Sequence, residues 1–591
     1  MTQQDVSDAQ IDRARIDGGF SFAIAAFILG FGLLAVLERI GLPDEMLRSG
    51  VIALIFSDLA IVALLLRTMR PVDFYAGGRQ LPGAYAGIAF AGMVLGLFLP
   101  FLPPGQQGIS FASVATGFCI GVLWALFATG PALRRSGAYS ITDFIVSRFP
   151  TILIRGPLVL IIGFCAACVA LGGYEIALHS FVAATGLDRR LGCAILGGLI
   201  ILLIVPAGLS GVIWVAAAAA IVMVSALILP LGLDLLSGLP LAVPIFGDHA
   251  LWAKATTQFS VLTGMSVRAP SQLSVIIATG LGLATLAPLF GAAVASRDEG
   301  EAWRSGIVGM VWLALGALLI TTTLAGATLA LETTVGNRVA TALPHSILAA
   351  SARGDIAICG IHTSDPIVLD FACGAKAENG QLRPAWQDMR TDASYLLQSL
   401  PRLRGSEPTL ARLAAAFMIV LGTGLAAAGL QTLITALGHD ILHPKRRKFG
   451  PVSRRLAFTR ALAIGFVILA SYWLAGRAVD VRTLFGLALM LSAALVAPIL
   501  TLALIPGTTS VSAFTALCLA AFVTVHFLIF DAAAMPPHEF ATDAIFAAFD
   551  GLAIGLFVTL LPKVFLPDGF AWKQKAAGAD APQRPSGRVP D

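Results

Sequence analysis

Charge is scarce in this sequence. Of 591 residues 12% are Asp, Glu, Lys or Arg, against 57% hydrophobic, and the mean hydropathy is +0.86. So little polar surface cannot coat a water-soluble particle of this size, which makes the chain a membrane protein. Signatures of common chemistry are missing too. No G-x-x-x-x-G-K-[ST] is present, which excludes a Walker-type ATP motor. Without H-E-x-x-H or G-x-S-x-G there is neither a zinc-protease helix nor a nucleophile elbow. The eight histidines (179, 249, 345, 362, 439, 443, 526 and 538) provide no facing pairs on apolar helices, as a haem-bearing subunit needs. The reading is therefore not an enzyme, with no metal and no cofactor beyond a coupling ion. Among common polytopic functions, gradient-driven transport remains.

Long apolar runs are abundant. A helix needs about 20 apolar residues to cross a bilayer, and runs of that scale lie near 19–38, 50–67, 83–103, 111–133, 155–183, 191–209, 211–233, 271–295, 304–330, 408–435, 456–475, 482–506, 510–530 and 542–563. The expectation is an all-α polytopic membrane protein with about 14 transmembrane helices. The first run follows a mixed-charge stretch and lacks a small-x-small cleavage site, so it is read as a retained helix.

Lys and Arg in short loops favour the cytoplasmic side. With a cytoplasmic N-terminus, the inside loops hold Arg70, Arg79, Arg134, Arg135, Arg148 and the run Lys445 to Lys448, whereas outside loops 104–110 and 531–541 hold none. This predicts a multi-pass protein of the cell (inner) membrane with both termini cytoplasmic. "HPKRRK" is then a topology anchor rather than a nucleic-acid site. The expected partners are the lipid bilayer and a small-molecule solute, and no protein partner is indicated.

The large loop 331–407 falls outside and reads as a small extracytoplasmic subdomain. Five cysteines (119, 165, 168, 193 and 518) sit in apolar runs as small hydrophobes. Cys359 and Cys373 share the outer loop, where oxidation would close a ring of about 14 residues as a disulfide.

Residues 83–103 end at Pro100, Pro103 and Pro104. Two readings are open. The prolines either break a helix at membrane depth, which is tolerated only against protein or a cavity and marks transporter sites, or they mark its outer end.

Four stretches carry a family resemblance: "DFYAGGRQLPGAYAGIAFAG", "GPALRRSGAYSITDFIVSRF", "GLSGVIWVAAAAAIVM" and "TALGHDIL". Their content and order resemble the sodium:solute symporters, in the branch related to bacterial acetate and pyruvate permeases, over most of residues 70–510. The resemblance implies a LeuT-type fold of two inverted five-helix repeats. Residues 1–82 would form two extra helices and a loop, 83–233 the first repeat, 234–270 an external loop, 271–506 the second repeat, 507–563 two further helices, and 564–591 a disordered tail.

The family's sodium site maps by resemblance to carbonyls at Gly92, Leu95 and Leu421 and to hydroxyl places at Gly424 and Leu425, which carry no hydroxyl. A one-residue slip would offer Thr423 alone. Where the branch has an acidic residue and serines in the first core helix, this chain has Met93, Gly96 and Leu99; where it has Thr and Gln in the fifth, Ile213 and Ala216. The substrate-path candidates are Met93, Gly96, Phe98 and Glu175.

Glu175 and His179 share a helix face at i and i+4 and read either as a proton relay or as an interfacial structural pair. Asp58 and Asp550 read as helix contacts, His439 and Asp440 as a cap or loop contact. Two functions stand: an ion-coupled secondary transporter of a small organic solute, plausibly a monocarboxylate, with Na⁺ or H⁺ as coupling ion; and a transporter-derived sensor or accessory protein. Lost hydroxyls predict weak or absent Na⁺ dependence.

Overall fold

The computed structural model describes residues 3–101, 111–236, 238, 242–244, 248–263, 270–335, 342–352, 354, 356–374, 389–391, 393–403, 408–441, 452–530 and 537–565. Pro103, Pro104, Lys445 to Lys448 and the tail from 566 lie outside them.

The chain begins with α1 (Gln3–Arg39), α2 (Asp44–Leu65) and the short α3 (Pro71–Ala76). The first half of the core is α4 (Gly83–Phe98), α5 (Phe111–Trp124), α6 (Gly130–Ser136), α7 (Ile141–Arg148), α8 (Ile152–Thr185), α9 (Arg189–Ala207) and α10 (Leu209–Leu236). After α11 (His249–Thr263) come α12 (Pro270–Thr285), α13 (Gly291–Ala295) and α14 (Glu299–Val335). The long connection from α14 then holds α15 (His345–Ala352), β1 (Ile356–Ile358), α16 (Pro366–Gly374), β2 (Met389–Thr391) and α17 (Ala393–Leu403). The chain continues as α18 (Pro408–Thr435), α19 (Val452–Gly476), α20 (Val481–Leu491), α21 (Ala497–Leu504), α22 (Ser510–Phe530) and α23 (Pro537–Phe565).

Eleven helices are long and apolar enough to cross a membrane among the described residues, or twelve if the bent pair Leu273–Thr285 and Ala287–Ala295 is one span; Ser510–His526 and Ala544–Leu560 are shorter apolar helices. Fourteen spans had been expected. The difference lies in that bent pair and in the last two helices.

Small residues set the packing of the central helices. A Cβ placed on Gly429 of α18 would lie 2.5 Å from Ala170 N of α8, and one on Gly422 would lie 2.5 Å from Ala177 N. Gly173 of α8 returns the contact, 2.5 Å from Ala426 N. Backbones this close gain dispersion contacts that larger residues would forbid. The most apolar stretch of α18 is wholly buried within the protein.

The helix break lies between α12 and α13. α4 is continuous to Phe98 and tightens into a 3₁₀ turn over Leu99–Phe101, so Pro100 sits in a terminal turn. α12 instead stops at Thr285. Leu286 is extended (φ −69°, ψ 103°), a 3₁₀ turn covers Ala287–Phe290, and the two pieces meet at 48°. Pro288 supplies no N–H for a continuing ladder. Thr285 Oγ1 lies 2.9 Å from Ser492 Oγ, at the start of a π-helical turn over Ser492–Val496 that joins α20 to α21.

In the connection between α14 and α18, β1 and β2 pair antiparallel, with Ile356 opposite Thr391, and a disulfide joins Cys359 to Cys373. Gln398 of α17 donates to Ser180 Oγ of α8 at 3.2 Å, tying the loop to the bundle.

Candidate functional site

At the positions matched to the sodium site the chain is apolar and filled. A Cβ on Gly96 of α4 would lie 2.8 Å from Leu425 Cδ1 and 3.0 Å from Leu421 Cγ. Those two leucines of α18 pack directly onto Gly96. Gly92 crosses α10 closely, its Cβ position 2.6 Å from Ala216 O. Leu95 points to α14, against Gly316, and its carbonyl accepts the Leu99 N–H. Gly424 faces α10 with more room: a Cβ there would lie 3.7 Å from Ala216 Cα. Thr423 is fully buried and its hydroxyl donates to Ile419 O at 2.7 Å. The side chains packed at these positions are hydrocarbon.

The substrate-path candidates do not converge on one site. Met93 is buried, and Phe98 packs against Phe118 of α5 at 5.0 Å. Glu175 accepts from Arg189 Nη2 at 2.5 Å, and Arg189 also donates to the carbonyls of Leu474 and Arg477. Glu175 is thereby committed to pinning α8 to α9 and to the end of α19. Among the described residues, no group of three or more His, Cys, Asp or Glu is placed to hold a metal ion.

A cavity of about 40 Å³, mostly apolar in its lining with a few polar groups, lies beside the break, two turns farther along α18. Its lining includes Ala287 and Phe290 from the break, Tyr75, Thr142, Gln431 and Asp440. Gln431 is 2% exposed and donates Nε2 to Phe74 O at 3.0 Å. Asp440 closes a π-helical turn over Ala436–Asp440 and is 1% exposed. Its Oδ2 accepts from Ser140 Oγ at 2.8 Å, and its Oδ1 lies 2.9 Å from His439 Nδ1. Ser140 in turn accepts from Asp143 N at 2.9 Å, capping α7. Tyr75 and Tyr139 flank His439 at 5.2 and 5.0 Å between ring centroids.

Basic residues close this end of the molecule. Arg134 donates to Ser296 O and Arg297 O, each at 2.6 Å, and Arg135 pairs with Glu299. Arg79 lies over the Tyr139 ring at 4.9 Å and donates to Gly137 O. It is a non-glycine at φ 54°, following Gly77 and Gly78 at φ 57° and 69°. Glycine takes the left-handed region at no steric cost, so the two ease the turn that delivers Arg79 to this contact. The sequence reading had treated Asp440 as a cap or loop contact and did not single out Gln431 or Thr142. The available signal was Gln431 and Thr435, polar at i and i+4 near the end of a largely apolar helix.

No family model matches the chain. A 138-residue stretch is 25% identical to an uncharacterized symporter of Cupriavidus necator, a match covering 22% of this chain and 19% of that relative. A Na⁺-coupled sialic acid symporter in a substrate-bound outward-open state superposes with a TM-score of 0.61 at 11% identity, over 87% of this chain and 97% of the other. An inward-facing structure of Mhp1 gives 0.40 at 14% identity, over 81% and 92%. The fold is the LeuT-type transporter fold of the sialic acid symporter, in a multi-pass membrane protein, and the similar proteins are transporters rather than enzymes.

Proposed function

We propose that the protein is a secondary active transporter that carries a small organic solute across the cell's inner membrane, coupled to H⁺ rather than Na⁺. The LeuT-type scaffold supports transport, and the observation that carries the coupling assignment is the packing of Leu421 and Leu425 onto Gly96. A monocarboxylate substrate follows from the motif resemblance over residues 70–510. The basic residues at the cavity end favour a cytoplasmic location for that end and for both termini.

Uptake of labelled short-chain monocarboxylates into proteoliposomes tests this. A pH gradient should drive accumulation, and replacing Na⁺ by choline should leave it unchanged. Strong, saturable Na⁺ stimulation would sink the assignment. The filled ion position also favours a second reading, a transporter-derived sensor or accessory protein, and binding without accumulation under either gradient would select it.

A further inference from the structure

The cavity beside the break is lined by polar groups that the fold leaves unsatisfied. The Gln431 amide spends its Nε2 on Phe74 O, and its buried Oε1 has no partner. Thr142 is 1% exposed, and its Oγ1 likewise has none. Both residues line the space that Asp440 lines. Orphaned buried polar atoms are rare because each forfeits its hydration, and two of them beside one cavity point to water. About 40 Å³ has room for about two or three molecules. Asp440 and Gln431 are nine residues apart on one helix, too far for direct contact and within reach of such a file of waters.

We propose that this cavity is a proton-binding site. A short water file joins Asp440 to Gln431 Oε1 and Thr142 Oγ1, and a hydronium ion arriving from the basic end gives its proton to the Asp440 carboxylate, leaving neutral acid and water. The proposal deepens the H⁺-coupled reading and rests on it for its role in transport. Protonation turns one Asp440 oxygen from acceptor to donor, which competes with the Ser140 bond that ties the start of α7 to the end of α18. Sodium is a poorer fit, because two unpartnered oxygens and one carboxylate fall short of the shell a dehydrated hard cation requires.

The charged and titratable surroundings are defined. Beside Asp440 stands His439 on the same turn. The segment before α4 brings Asp73, Tyr75 and Arg79; α6 and α7 bring Arg134, Tyr139 and Asp143; α19 brings Arg455 and Arg460, the latter 5.4 Å over the Phe74 ring. The lining residues from α8, α10 and the break, namely Ile162, Leu209, Ala287, Phe290, Gly291 and Val294, carry no titratable group.

Infrared difference spectroscopy on the full chain in lipid nanodiscs, recorded as pH is lowered, tests the site without needing a substrate. The unmodified protein should show a carboxylic-acid C=O band that shifts in D₂O. Asp440→Asn should remove one component of it, Asp58→Asn should leave that component in place, and Gln431→Leu should move the component's frequency by disrupting the water file. If Asp440→Asn fails to fold, Ser140→Ala must move the band instead, since it removes the hydroxyl bonded to Oδ2. Identical spectra for the unmodified protein and the position-440 variant overturn the proposal. So does a saturable thermal stabilisation by Na⁺ at fixed pH and ionic strength that Asp440→Asn removes, which would make the cavity a sodium site. An intact, Asp440-dependent band without uptake in proteoliposomes would keep the site and reject the transport reading.

Discussion

One helix carries two chemistries. In α18 the segment Leu421–Leu425 is buried hydrocarbon packed on Gly96, whereas Gln431–Asp440 brings an amide, two threonines and a carboxylate to a cavity. Leu421–Leu425 is buried throughout, and in Gln431–Asp440 the amide and the carboxylate are buried too. What separates them is the neighbour: an unbroken α4 on one side, and on the other the break between α12 and α13. A continuous helix satisfies its own backbone and presents only side chains, so leucine fills the gap. A broken one leaves room and unsatisfied groups, and polar residues are tolerated there because a cavity can hold water. Along α18 and the turn that follows it, polarity follows the helix break.

A charge placed in each half breaks or sharpens that comparison most strongly. Leu425→Asp sets a carboxylate against Gly96 with no partner and should cost about 3 kcal/mol or more. Thr432→Asp, beside the cavity, should cost less than half of that. Thermal unfolding midpoints of the two purified variants measure the difference, and equal losses would mean that the cavity half is as dry as the other.

Glycine substitutions probe the same helix sterically. At Gly429 a Cβ would sit 2.5 Å from the backbone N of Ala170, so Gly429→Ala should lose about 2 kcal/mol as α8 and α18 are forced apart. At Gly424 the nearest atom is 3.7 Å away, and Gly424→Ala should gain about 0.5–1 kcal/mol from helix propensity. A destabilised Gly424→Ala would show that the open side of α18 is packed more tightly than these distances allow.

Much of this was legible in the sequence, for reasons that particular residues make plain. The apolar runs locate the helices because a bilayer demands length and hydrophobicity and little else. Gly424 and Leu425 could be read as lacking ligands because a missing hydroxyl is a fact of composition. The break was harder to place. Pro100, Pro103 and Pro104 are conspicuous, yet the structure puts Pro100 in a terminal turn, and the interruption falls at Leu286, announced by a single Pro288. Proline constrains its own φ and withholds one donor, but whether a helix ends or breaks depends on what lies beyond it. Glu175 was harder in another way: an acid at membrane depth reads as functional or structural, and its ion partner Arg189 comes from the next helix, a pairing no spacing rule gives. Gln431 and Thr142 lie 289 positions apart and meet only through the fold.

The finest test of the comparison converts one half toward the family pattern. Gly424→Ser with Leu425→Thr restores two hydroxyls at the matched places and removes one of the leucines that fill the gap against Gly96. Serine at 424 fits, since its Cβ would meet nothing nearer than 3.7 Å. The Leu425 change opens volume that water or an ion must occupy. Sodium can then regain oxygens that the unmodified chain does not present, and binding to the folded state alone stabilises it by mass action. At ten times the dissociation constant the gain is about 1.4 kcal/mol. The double variant should therefore unfold at higher temperature in Na⁺ than in choline at equal ionic strength, while the unmodified protein responds equally to both. Leu95 O is already bonded to Leu99 N–H, so the new site lacks one of its expected carbonyls and its affinity should be low. A Na⁺ response in the unmodified protein as large as in the variant would show that the leucine-filled gap is not what keeps sodium out.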